Sequence, residues 1–245
     1  MRLQLTGRVR LMTAIAVAAS LGTSAAPPAP GAPGQTAQQT KPRRPFPPDD
    51  LGLLEGPDRD QWNKPDLIMD ALQIAEGDAV ADLGAGGGWF TVRLARRVGP
   101  NGTVYAQDIQ PQMLEGIERR VQRENLRNVR TVHGTPTDTR LPPKLDAVLI
   151  MGAYHEMNDP TRPEVIVALL GQVAHALKAQ GRLGVIDFVA GAGGPGPALE
   201  ERVKPEDVIS AASSAGLKLL AREPVPPFIY LLVFGKDALH APSER

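Results

Sequence analysis

Three short stretches of this chain carry side chains whose types and spacing can do chemistry. The first is Val80-Ala81-Asp82-Leu83-Gly84-Ala85-Gly86-Gly87-Gly88-Trp89-Phe90. An apolar run that enters a glycine turn and leaves as a helix brings bare backbone N–H groups and a helix N-terminus against a ligand, with no Cβ to hold it off. Gly84, Gly86 and Gly88 follow a G-x-G-x-G spacing, and Trp89 occupies the place where a dinucleotide site needs its third glycine. The acidic Asp82 precedes the first of these glycines. The second stretch ends the run Thr103–Gln107 with Asp108. A carboxylate at a strand end can accept from both hydroxyls of a ribose. Asp also caps helices, here the one expected from Pro111, although Gln110 stands closer to that start. The third is Tyr154-His155-Glu156, following the apolar run Leu145–Met151. His155 titrates near neutrality and suits a general base, and the face of Tyr154 suits a substrate or an organic cation. The plainer alternatives are a helix-capping or core histidine, a packing tyrosine and a solvated Glu156.

These residues need a scaffold, and the chain alternates helical and strand patterns from Leu51 onward. Pro65 suits the first turn of a helix whose inward face is Ile68, Met69 and Leu72. The first strand is expected over 78–82, then a helix with Phe90, Leu94, Ala95 and Val98 inward, stopped by Gly99-Pro-Asn-Gly102. A second strand over 103–107 and a helix from Pro111 with Leu114, Ile117 and Val121 inward follow. The third strand is expected over 128–132 and the fourth over 145–151, the latter apolar enough to be buried on both faces. A long helix with Ile166, Leu169, Leu170, Val173 and Leu177 as its stripe leads to a fifth strand over 182–188. One more helix, 205–215 with Gly216 as its stop, precedes two strands over 217–221 and 228–234, joined by Glu223-Pro-Val-Pro-Pro227. Regular alternation predicts a doubly wound, seven-stranded, mostly parallel α/β sheet with right-handed crossovers. The last two strands lack a helix between them and should pair antiparallel. Ligands of such sheets sit outside the carboxyl ends of the strands at the switch point, where Asp82, Asp108 and Tyr154-His155 all fall.

Over about Leu51 to Lys236 the chain resembles the class I S-adenosylmethionine-dependent methyltransferases, on the motif Asp82-Leu-Gly84-Ala-Gly86-Gly-Gly88, on Asp108 and on the reversed final strands. The resemblance implies a Rossmann-like methyltransferase fold, with S-adenosyl-L-methionine as cofactor and S-adenosylhomocysteine as by-product. It implies that Asp82, Gly84, Gly86 and Gly88 hold the methionine end and Asp108 the ribose. Many members carry Gly-Asp-Ala after the third strand, with that Asp on the adenine amino group. Here Thr135 stands in that place, so the role passes to Asp138 from a shifted loop, or Asp138 is only a turn residue beside Pro136. The loop after the fourth strand lies beside the transferable methyl, which implies catalytic roles for His155 as base and Tyr154 against the sulfonium or acceptor. The family often has an acidic residue where Gly152 stands, so no role of that carboxylate carries over. Trp62, in Arg59-Asp-Gln-Trp62-Asn-Lys64, is a lid or substrate wall or else packs on the sheet.

Composition narrows the partners. Lys plus Arg and Asp plus Glu both number 27, so the 245-residue chain has no net charge and no concentrated basic surface for nucleic acid. It has no cysteine, which removes disulfides, thiol nucleophiles and thiolate metal sites. No His and carboxylate spacing suggests a metal site; His133 and His175 read as structural. Arg202, ahead of the last helix, meets an anionic group or is solvated. Arg2, Arg8 and Arg10 precede the apolar run Leu11–Leu21 and small residues at 23–26, the pattern of a signal peptide over 1–26. That run is too short for a comfortable membrane span. The expectation is export, periplasmic or secreted, without stable membrane insertion after cleavage; a non-functional signal leaves the protein in the cytoplasm. Residues 27–50, rich in Pro, Ala, Gly and Gln, read as a disordered linker, and 51–240 as the methyltransferase domain. The function so read is methyl transfer to a small or medium-sized acceptor. The competing reading is a non-catalytic nucleoside- or ligand-binding protein on the same fold, and a nicotinamide oxidoreductase is disfavoured by Trp89.

Overall fold

The computed structural model describes residues 44–54, 56, 58–191 and 193–237. The signal-peptide reading over 1–26 and most of the linker reading lie outside them.

Helices α1 (Arg59–Asn63) and α2 (Pro65–Ala71) lead into β1 (Ala79–Leu83). Then come α3 (Trp89–Val98), β2 (Thr103–Asp108), α4 (Pro111–Arg123), β3 (Val129–His133) and β4 (Leu145–Met151). The second half holds α5 (Tyr154–Met157), α6 (Pro163–Ala176), β5 (Leu177–Phe188), α7 (Pro205–Ser214), β6 (Leu217–Val225) and β7 (Ile229–Lys236). Proline opens α2, α4, α6 and α7, where its missing N–H has no helical partner to lose. Gly99, at φ 66, stops α3 as expected.

One seven-stranded sheet runs in the order β3-β2-β1-β4-β5-β7-β6. Pairing is parallel from β3 through β5 and antiparallel for β5–β7 and β6–β7. The strand order reverses between β1 and β4, so a crevice opens at their carboxyl ends. Strand β4 feeds both sides of the core: Val148 and Ile150 pack with α6 and α7, while Ala147 and Leu149 pack with α2 and α3. That two-residue period explains why its sequence is continuously apolar.

Two boundaries differ from the expectation. Leu177, expected on the α6 stripe, is the first residue of β5, and the strand therefore begins before Arg182. Its backbone turns extended at φ −67 and ψ 147, and the β4–β5 register shifts between Leu145 and Ala147. A Cβ on Gly181 would lie 2.8 Å from the Leu145 carbonyl oxygen, so only glycine lets the strands meet there. The expected connection 223–227 is mostly strand, with Pro224 opposite Tyr230 and Val225 opposite Ile229. Strand β6 is the sheet edge, where a proline costs no ladder bond on its outer side.

The linker expectation also shortens. Residues 44–50 are built onto the domain, with a 3-10 helix over Pro48–Leu54. Among the described residues no helix is long and apolar enough to cross a membrane.

Candidate functional site

The crevice encloses a cavity of about 990 Å³, within the range of small-molecule sites. At its β1 end, Asp82 is buried, lines the cavity and accepts a hydrogen bond from Thr91 Oγ1 at 2.6 Å. Burial raises its pKa to about 6, with the neighbouring Asp108 adding to the rise and Thr91 opposing it. Gly84, Ala85, Gly86 and Gly87 continue the wall. Gly84 sits at φ 76, and a Cβ there would lie 2.7 Å from Ala153 Cβ and 2.9 Å from Met157 Cε. The backbone of the turn thus packs directly against the side chains of Ala153 and Met157, which a Cβ at Gly84 would prevent.

Four of the five amides of residues 84–88 are already engaged, contrary to the expectation of a bare turn. Gly84 and Ala85 N–H both donate to the Gln107 carbonyl at 2.9 Å, Gly88 N–H donates to Ala85, and Gly86 N–H donates to Asp108 Oδ2 at 2.9 Å. These bonds tie the turn to the end of β2 and leave little for a phosphate. Asp108 also accepts from Gln110 N–H at 2.9 Å, and burial raises its pKa. Gly88 does not line the cavity: at φ 76 it starts α3, and a Cβ would meet Ile117 Cγ1 at 3.0 Å, so its glycine serves the α3–α4 approach.

At the β4 end, His155 of α5 lines the cavity alongside Glu156 and Met157. Its Nδ1 lies 3.0 and 3.1 Å from the two carboxylate oxygens of Asp187, and its backbone N–H donates to Asp187 Oδ2 at 2.9 Å. Asp187 is fully buried and also accepts from Phe188 N–H. An Asp on Nδ1 fixes the ring with Nε2 as its basic nitrogen. Phe188 forms the next wall, with the rings of Trp62 at 6.4 Å and His155 at 6.2 Å, and Phe228 stands edge-on to Trp62 at 6.2 Å. Trp62 is therefore both cavity wall and packing residue.

Tyr154 is not part of this wall. It is buried in the core on the α6–α7 side, and burial raises its phenol pKa. The first turn of α5 rotates the Tyr154 side chain by about 100° from that of His155, and it enters the core instead of the crevice. Asp138 is also excluded. Thr135, Pro136 and Thr139 line the cavity instead, while exposed Asp138 accepts from Arg140 N–H at 3.0 Å as the turn residue of the alternative reading.

Two segments cover the cavity. Phe46 N–H donates to Glu156 Oε2 at 2.8 Å, and Gln110 Nε2 donates to the Phe46 carbonyl at 2.9 Å. Glu156 is therefore held rather than solvated, and burial raises its pKa. Arg202, also expected in solvent, is buried and donates to the carbonyls of Val189, Pro195 and Pro197 at 3.0–3.2 Å, pinning the loop after β5. Among the described residues no group of His, Asp or Glu is arranged to hold a metal ion.

The crevice therefore gathers Asp82, Gly84, Gly86, Asp108 and His155, and leaves out Gly88, Tyr154 and Asp138. Sequence reading missed Asp187, whose signal was only an acidic residue inside an apolar strand end, and Gln107. The donor set suits S-adenosylmethionine: a buried carboxylate with no ion pair among the described residues for an ammonium, and a strand-end carboxylate for a ribose.

Comparison with known proteins agrees. Residues 80–181 match the family described as "Methyltransferase domain". The chain is 30% identical over 121 residues to a demethylmenaquinone methyltransferase of Geobacillus stearothermophilus, covering 45% of this chain and 51% of the relative. It is 34% identical over 71 residues to a protein-L-isoaspartate O-methyltransferase of Methanothrix thermoacetophila, covering 29% and 34%. The chain thus spans about half or less of the length of these curated relatives. A SAM-dependent methyltransferase structure from Aquifex aeolicus superposes with a TM-score of 0.71 at 24% identity, covering 77% of this chain and 98% of that one. The motif at Asp82–Gly88, the strand order and the matched profile agree: residues 80–181 are similar to the methyltransferase-domain family, and the chain shares the fold of a SAM-dependent methyltransferase structure.

Proposed function

We propose that this protein transfers a methyl group from S-adenosylmethionine to a flat, largely apolar small molecule bearing one removable proton. The observation that carries the reading is the His155–Asp187 pair on a cavity wall shared with Phe188, Trp62 and Phe228. When bound, the cofactor supplies an electrophilic methyl carbon on a cationic sulfur. Asp82 serves its ammonium and Asp108 its ribose hydroxyls, with Gly84 and Gly86 setting the turn between them. His155 Nε2 takes the acceptor's proton, while Asp187 accepts from Nδ1–H and steadies the imidazolium that forms. The aromatic walls and the Phe46 segment keep water from the acceptor.

The relatives methylate chemically different partners by name, a demethylmenaquinone and an isoaspartate protein. The apolar aromatic walls here favour a ring-bearing acceptor over a peptide. An assay of S-adenosylhomocysteine release across phenolic, quinol and carboxylate acceptors tests this. Turnover with a phenolic or quinol acceptor is expected, together with a loss of about 10²–10⁴ in kcat for His155→Ala at unchanged S-adenosylhomocysteine affinity. Full activity in His155→Ala removes it from the base role. The charged, apolar and small-residue order of residues 1–26 further supports export; a mature N-terminus sequenced at Met1 overturns that part.

A further inference from the structure

Asn63, the last residue of α1, is fully buried and borders the cavity. Neither its Nδ2 nor its Oδ1 has a hydrogen-bond partner among the described residues. A buried carboxamide with both ends unsatisfied is rare, because each group has given up water and received nothing. One that borders a ligand cavity is accounted for by a ligand that brings both an acceptor and a donor.

Its neighbours say which end of the cavity this is. Arg59 stands one turn earlier on α1, at the i,i+4 spacing that puts two side chains on one helical face. The Arg59 guanidinium lies 4.2 Å from the centre of the Trp89 ring, directly after the glycine turn, and its charge favours the ionised form of Asp82. The Arg59–Asn63 face of α1 therefore meets the Asp82–Gly86 end of the cavity, while the preceding Trp62 turns to Phe188 and Phe228.

We propose that the Asn63 carboxamide reads the α-amino-acid end of the cofactor, its Oδ1 accepting from the ammonium and its Nδ2 donating to the carboxylate. This rests on the cofactor assignment above. It makes Asn63 the group that separates a complete S-adenosyl amino acid from nucleosides that lack the amino-acid tail, with Asp82 supplying charge and Asn63 supplying direction. An acceptor-facing role is the competing assignment.

Calorimetry with two probes on the full chain separates these readings. S-adenosylhomocysteine has the amino-acid end, and methylthioadenosine has the same adenosine and sulfur without it. Asn63→Leu, of similar volume, is expected to weaken S-adenosylhomocysteine by at least about tenfold and methylthioadenosine by less than about twofold. The thermal midpoint of the ligand-free variant should hold or rise, since two orphaned polar atoms leave the interior. Equal loss of both probes, or a lowered midpoint with the two affinities in their original ratio, makes Asn63 structural and overturns the proposal. Unchanged binding of both with a raised acceptor KM overturns it in favour of the acceptor. Asn63→Ala is read in the same way if the leucine variant does not fold. Wild-type protein that binds neither probe overturns the cofactor assignment itself, which the variants alone do not touch.

Discussion

Asp82 carries an electrostatic cost that the proposed ammonium-binding role explains. Its folded pKa of about 6 lies above the ordinary 3.8, chiefly because burial penalises the charge. The folded protein thus binds this proton more tightly than the unfolded chain does. The stabilisation from the protonated form is fully present below 3.8 and is lost as pH rises through about 6. Asp82→Asn should therefore stabilise ligand-free protein at neutral pH by up to about 3 kcal/mol, with the gain vanishing near pH 4, as measured by urea denaturation across pH. The same variant should bind S-adenosylhomocysteine more weakly, and wild-type affinity should fall as pH drops below about 6, where the carboxylate is neutralised. At the other end of the cavity, Asp187→Asn should lower kcat by about 10²–10⁴ and reshape its pH profile with cofactor affinity intact, because an amide no longer holds the histidine in one tautomer. Tyr154→Phe, confined to the core, should leave kcat unchanged. Asp82, Gly84 and Asp108 were legible because each belongs to one local strand-to-helix turn. Asp187 was not: it meets His155 across 32 residues of sequence, and only the sheet register brings them together.

Elements place these residues with little slack. At the end of β5, consecutive Asp187 and Phe188 divide the work, one holding the His155 imidazole and the other walling the cavity. Strand alternation makes the division automatic, and a one-residue slip would exchange them. The glycine turn has a similar tolerance. Gly84→Ala combines a left-handed φ with a close approach to Ala153 and Met157, whereas Gly86, at φ 53, has open space around its Cα. Thermal denaturation should show Gly84→Ala costing on the order of 2–3 kcal/mol and Gly86→Ala about 1 kcal/mol. Helix and strand cores were readable from periodicity, because apolar spacing and buried face are the same fact. Boundaries misled where tertiary context decided: Leu177 left its helix to pair with Leu145, and Pro224 entered an edge strand that has no outer neighbour to disappoint.

For the molecule as a whole, the β–α alternation made the doubly wound sheet legible, and the two unseparated strands at the end announced the antiparallel close. Strand β7, inserted between β5 and β6, supplies the fully buried Phe234 to the α6–α7 side of the core. Phe234→Ala should cost about 3–5 kcal/mol in chemical denaturation, since a wide, rigid sheet cannot collapse into the space. The cover over the cavity was illegible, because residues 44–47 gain order from Glu156 and Gln110 and have no pattern of their own. Cutting the chain after Pro47 should leave a folded domain with weaker S-adenosylhomocysteine binding by calorimetry. The path of the backbone through Phe46 has one more consequence. The chain enters the domain at the rim of its own cavity, so any support to which the preceding residues are fastened becomes a tether at the doorway.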